Sequence, residues 1–91
     1  MHARGRAVCI VVTPGSGEGR ARHIGRHLGR LLRRRGAVVT TRSFGDLPSL
    51  LEWAKTCGPE FSMIFCVGGD ATQSAAAVLA RRHRIPFVPI P

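Results

Sequence analysis

The chain has 91 residues, enough for one small domain, and folding at this size buries only about 60% of the unfolded surface, which excludes a deep cleft between two domains. An apolar share of 44% fits a packed core, no window approaches the roughly 20 apolar residues of a bilayer-spanning helix, and the first residues lack the apolar stretch of a secretory signal, so a cytoplasmic protein is expected. Fourteen Lys and Arg against five Asp and Glu give a net charge of +9, which favours anionic partners.

Residues 7–13 are rich in β-branched and apolar side chains and stop at Pro14, Gly15, Ser16 and Gly17, which reads as a strand buried on both faces. From Arg20 the period changes. Ala21, Ile24, Leu28, Leu31 and Leu32 fall on one helical face, with Arg22, Arg26, Arg30 and Arg33 opposite. Gly25 and Gly29 each cost about 0.5–1 kcal/mol inside a helix, so they are expected to serve close packing, and Gly36 is expected to end the helix. Seven arginines lie from Arg20 to Arg35. That concentration makes an anionic membrane surface a candidate partner and adds membrane association to the cytoplasmic location. Nucleic acid is disfavoured, because aromatic residues make up only 5% of the chain. His23 and His27 are one helical turn apart, but the surrounding arginines would repel a metal ion.

Residues 37–41 read as a second strand, and Asp46 or Ser49 as the cap of a helix carrying Leu47, Leu50, Leu51 and Ala54, with Trp53 its largest side chain. A third strand is expected over 61–67, a third helix over 75–82, and a fourth extended segment over 85–90 whose prolines disfavour a central place in a sheet. Cys9, Cys57 and Cys66 are odd in number and lack C-x-x-C spacing. Cys9 and Cys66 lie in apolar runs and read as small buried hydrophobes in a reducing compartment. His2 and His83 are expected to face solvent.

Strands alternating with helices imply a three-layer α-β-α, Rossmann-like domain over 1–91 with a parallel sheet and helices on both faces. All strand-to-helix turns then gather at one edge of the sheet, where ligands of such folds bind. Two of those turns are glycine-rich: Pro14-Gly15-Ser16-Gly17-Glu18-Gly19 and Gly68-Gly69-Asp70-Ala71-Thr72. Glycines leave backbone N–H groups open toward an anion at a helix start. The first turn matches neither of the common phosphate-loop patterns. In the second, Asp70 has two readings, as a plain helix N-cap or as a contact to a metal-bound or hydroxyl-bearing part of a ligand.

Taken together, the two turns and the order of elements between them resemble the N-terminal nucleotide-binding lobe of the diacylglycerol kinase catalytic domain, a family that includes sphingosine, ceramide and bacterial lipid kinases, with NAD kinases as distant relatives. The resemblance runs from Ala7 to Pro91. It implies ATP and magnesium as cofactors and a parent enzyme that moves the γ-phosphate to a lipid hydroxyl, of diacylglycerol or sphingoid type. It matches Pro14, Ser16 and Gly17, with Thr13 and Gly15 beside them, to a turn that contacts the nucleotide phosphates. Gly68, Gly69, Asp70, Ala71 and Thr72 match a second turn that lies against ATP and organises metal and phosphate, Asp70 indirectly. Ser43 is the nearest counterpart of a nucleotide-contacting threonine.

Three departures accompany the matches: Thr13 where the family usually has Asn, Ala71 in place of a glycine, and Ser74 in place of a frequent Asn. Were positive φ required at Ala71, its Cβ would cost roughly 1–2 kcal/mol, and even at a permitted φ its methyl would intrude where the backbone approaches phosphate, so weaker nucleotide binding is expected. Relatives continue past the position of Pro91 into a further nucleotide contact and a β-rich domain carrying the base and the lipid pocket. The 91-residue chain is therefore expected to be inactive alone, with no catalytic residue of its own. A degenerate, non-catalytic nucleotide- or anion-binding regulatory module is the alternative, and a homo-oligomer is a further candidate state. The expected site has Ser16 and Asp70 facing each other across one crevice.

Overall fold

The computed structural model describes residues 6–13, 18–56 and 60–90. Seven elements follow in order: β1 (Ala7–Val12), α1 (Glu18–Arg34), β2 (Val38–Ser43), α2 (Leu47–Thr56), β3 (Met63–Val67), α3 (Asp70–His83) and β4 (Phe87–Ile90). The four strands are all parallel and stand in the order β2-β1-β3-β4. Pro89, which has no N–H to give a ladder, lies on edge strand β4, as its chemistry requires.

The chain first steps from β1 outward to β2 and then crosses back past β1 to β3 and β4. Right-handed crossovers in opposite directions put their helices on opposite faces. Accordingly α1 covers one face through Ile24, Leu28 and Leu32 over Val8, Ile10, Val12, Phe65 and Val67. Helices α2 and α3 cover the other through Leu50, Ala75, Ala76, Leu79 and Ala80 over Cys9, Val11, Ile64 and Cys66. Strand β1 is enclosed by both layers, with Cys9, Ile10 and Val11 wholly buried.

Close approach of α1 depends on its glycines. A Cβ at Gly25 would come within 2.8 Å of Val12 Cγ2, and one at Gly29 would lie 3.7 Å from Ile10 Cδ1. The first is too close to be tolerated without a shift, so Gly25 sets the helix-to-sheet distance. Gly36, at φ 90°, ends α1 as expected: its N–H donates to the Arg33 carbonyl and that of Ala37 to the Leu32 carbonyl. Arg84 plays the same part after α3 at φ 55°, without a glycine's freedom.

Several boundaries differ from expectation. Strand β2 runs on to Ser43, β3 begins at Met63 with Phe61 buried just before it, and α3 begins at Asp70 rather than near residue 75. Asp46, not Ser49, caps α2: its carboxylate accepts the Ser49 N–H at 2.8 Å, and this bond holds the Asp46 pKa below its ordinary value. Cys9 and Cys66 are buried and form no disulfide, and burial pushes the Cys66 thiol up to about 12. His83 is half-buried rather than solvent-facing. Cys57 and His2 lie outside the described residues.

Candidate functional site at the carboxyl edge

Strand order locates the site before any side chain is considered. The connection leaving β1 goes to one side and the connection leaving β3 to the other. The carboxyl ends of these adjacent strands therefore flank the topological switch point, where open α/β sheets form a crevice. Thr13 and the Gly68–Thr72 turn lie there.

Two threonines join the end of β1 to the start of α3. Thr13, just after β1, donates its N–H to the Val67 carbonyl at 3.3 Å, and its hydroxyl oxygen lies 2.5 Å from that of Thr72 on the first turn of α3. Gly68 packs beneath this bridge, where a Cβ would fall 2.6 Å from Thr13 Oγ1 and 3.2 Å from Thr72 Cβ. Gly69 is different, since a Cβ there would meet nothing within 4 Å. One glycine is needed for packing, and the other faces open space.

Gly69 is the N-cap of α3, extended at φ −81°, ψ −178°, and no side chain caps the helix. The first intrahelical bond runs from the Gln73 N–H to the Gly69 carbonyl at 3.0 Å. The N–H groups of Asp70, Ala71 and Thr72 precede it and lack intrahelical acceptors. They converge at the positive end of a 14-residue helix, which suits an anion. Asp70 and Ala71 are exposed on this turn, and Thr72 is buried.

Two sequence readings change here. Asp70 is not the N-cap, because Gly69 holds that place and Asp70 is the first helical residue. The strain considered for Ala71 is absent: the residue is helical, and among the described residues positive φ occurs only at Gly36 and Arg84, neither of them in the site. Thr13, Gly68, Gly69, Asp70, Ala71 and Thr72 thus come together at one place. Ser43 ends β2 opposite Val12, one strand away from the gap between β1 and β3, and is exposed. Pro14, Gly15, Ser16 and Gly17 lie outside the described residues, and so does the expected facing of Ser16 and Asp70.

Gln73 is a site residue that sequence reasoning missed. Its Nε2 lies 3.1 Å from the Cys66 carbonyl oxygen, 3.3 Å from that of Gly68 and 3.0 Å from that of Ile90. The amide thereby ties the ends of β3 and β4 to the Gly68 turn that leads from β3 into α3. Its Oε1 is buried and has no partner among the described residues. Nothing in the local sequence marks this glutamine, since its three acceptors meet only in the folded sheet.

Magnesium commonly binds through one or two carboxylates plus substrate phosphates rather than in an all-protein cage. Asp70 beside open helix amides fits that mode. Among the described residues no group of three or more His, Cys, Asp or Glu is assembled.

Four parallel strands, helices on both faces and uncapped amides at the switch point define an open, doubly wound α/β domain. Its fold is similar to part of glycerol dehydrogenase from Schizosaccharomyces pombe, with a TM-score of 0.68 and 22% identity over 91% of this chain and 21% of that one. The chain spans about a fifth of that protein, and identity this low speaks to the fold alone. No match was found among curated proteins. The family is settled by sequence: residues 7–91 match the diacylglycerol kinase catalytic domain, and the chain belongs to that family. Among the described residues no helix is long and apolar enough to cross a membrane.

Proposed function

We propose that this chain is the nucleotide-binding lobe of a lipid kinase whose parent transfers the γ-phosphate of ATP to a lipid hydroxyl. The observation that carries this reading is the uncapped start of α3 at the switch point of a family member's sheet. The open N–H groups of Asp70, Ala71 and Thr72 receive phosphate oxygens, and Gly69 leaves room for them because it has no Cβ. The Thr13–Thr72 pair ties the end of β1 to the first turn of α3, and one of its hydroxyl hydrogens remains available to a ligand. Asp70 would contact a phosphate-bound magnesium, which would supply neutralisation of phosphate charge when bound. The acceptor-side base and the lipid pocket belong to a further domain, so this lobe reads out as binding, not turnover.

The test is titration of the isotopically labelled protein with MgATP, followed by backbone amide NMR. Shifts concentrated at Gly69 through Gln73, abolished by Gly69→Ser, are expected. The serine hydroxyl would cap α3 and occupy the amides that phosphate needs. Absence of saturable shifts, for the wild type and for Ala71→Gly alike, would overturn the reading in favour of a non-catalytic module.

A further inference from the structure

The strongest feature outside the site is the outer face of α1. Its 17 residues carry six arginines against a single acid, Glu18, a net of five positive charges. Helices α2 and α3 together carry Lys55, Arg81 and Arg82 against Glu52 and Asp70, a net of one. The charge carried by the helices is therefore one-sided. Arg20, Arg22, Arg26, Arg30, Arg33 and Arg34 are all exposed, and so are His23 and His27 between them. At 100° per residue these eight side chains fill the arc opposite Ile24, Leu28 and Leu32, which are the residues packed on the sheet.

We infer that this face is a docking surface for an anionic lipid bilayer, with α1 lying parallel to the membrane. Charge complementarity carries the inference. The arc extends the length of the helix, about 25 Å at 1.5 Å per residue, and presents no carboxylate beyond its first residue. Leu31, 43% exposed on the flank of the arc, offers an apolar side chain to the headgroup region. No aromatic residue occurs in α1, so a single-stranded nucleic acid would find no stacking platform. The choice of lipid over other polyanions rests further on the kinase reading above, in which the acceptor is itself in a membrane. Helix α1 starts at the carboxyl edge of the sheet, since it follows β1 directly. Docking along it would hold the crevice beside the bilayer rather than away from it.

The experiment is co-sedimentation of the protein with vesicles of phosphatidylcholine alone or with one-third phosphatidylserine, at low and at high salt. Binding only to the anionic vesicles, lost at high salt, is expected. Each arginine near the surface contributes about fivefold in affinity, so the double variant Arg26→Gln/Arg30→Gln should bind about 25-fold more weakly. These positions are exposed and glutamine is a good helix former, so an unchanged thermal melt confirms that the variant is folded. The matched variant Arg81→Gln/Arg84→Gln, equal in charge but behind the opposite face, should bind like the wild type. Equal losses in the two variants would mean that net charge alone acts, and would overturn the inference. So would absence of vesicle binding, or tighter binding to a DNA duplex than to the anionic vesicles at the same salt. Because the assay contains no nucleotide, failure here alongside intact MgATP binding would leave the kinase reading standing.

Discussion

Replacing Gly68 with alanine tests its packing beneath the Thr13–Thr72 bridge. The new Cβ would lie 2.6 Å from Thr13 Oγ1 and 3.2 Å from both Cβ and Cγ2 of Thr72. Threonine is short and stiff at χ1, so Thr13 has no long stem along which to yield, and its hydroxyl is already engaged with Thr72. Relief therefore requires the bridge to open. Overpacking of this kind costs about 1–3 kcal/mol, and the lost hydrogen bond adds about 0.5–1.5 kcal/mol. At about 4–8 °C per kcal/mol for a domain of this size, the melting temperature measured by circular dichroism should fall by about 6 °C or more. Gly69→Ala supplies the contrast. Its Cβ meets nothing within 4 Å, so the melt should move by only a few degrees, for the poorer N-cap. A double-mutant cycle completes the test: Thr13→Ala removes the clashing oxygen and should make Gly68→Ala much less costly in its presence. If Gly68→Ala melted within two degrees of the wild type, or Gly69→Ala proved equally damaging, the assignment of one glycine to packing and the other to the ligand would be wrong.

Other outcomes follow from particular residues. Arg84→Gly should raise stability by about 0.5–1 kcal/mol, because glycine adopts φ 55° without strain, whereas Gly36→Ala at φ 90° should lower it by about 1–2 kcal/mol; urea unfolding reads both. Gly25→Ala should destabilise through Val12, 2.8 Å away, and a Val12→Ala background should relieve part of that loss in the same assay. Asp46 has a lowered pKa in the folded state, so its contribution is present above the ordinary carboxylate range and fades as pH falls through the folded value; the melting-temperature gap between wild type and Asp46→Asn should close between about pH 4 and lower pH. Cys66, with its pKa raised to about 12 by burial, should resist alkylation in the native state, and its contribution to stability should be lost as pH rises from 9 toward 12, a loss absent in Cys66→Ala.

The fold is legible in the sequence wherever a side chain's local pattern and its tertiary role coincide. β1 and β3 are unbroken apolar runs because helices cover both of their faces, and β4 announces its edge position through Pro89. Gly36 and Gly25 are readable for the same reason, one by its place after the last apolar repeat and the other by its cost in a helix. The start of α3 is not. Its buried stripe is Thr72, Ala75, Ala76, Leu79 and Ala80, and the first member is a threonine that hydropathy counts as polar. By apolar pattern alone the helix begins with Ala75, and the motif residues before it read as loop. The absence of strain at Ala71 has the same origin, since a helical φ suits any L-residue. Ser43 meets a similar limit, because the exposed edge strand β2 shows no apolar alternation by which its end could be judged. The site residues from Gly68 to Thr72 are found through motif resemblance, whereas Gln73 requires knowledge of which carbonyls meet.

The amide of Gln73 has a property that its three contacts create together. It owns two protons, and three carbonyl oxygens stand within 3.0–3.3 Å of its nitrogen. At any instant one acceptor shares or waits. A small slide of the Gly68 turn relative to the end of β4 thus trades one partner for another instead of breaking a bond outright. The joint thus holds the Gly68 turn and the ends of β3 and β4 through a shared set of acceptors rather than through one separate bond to each.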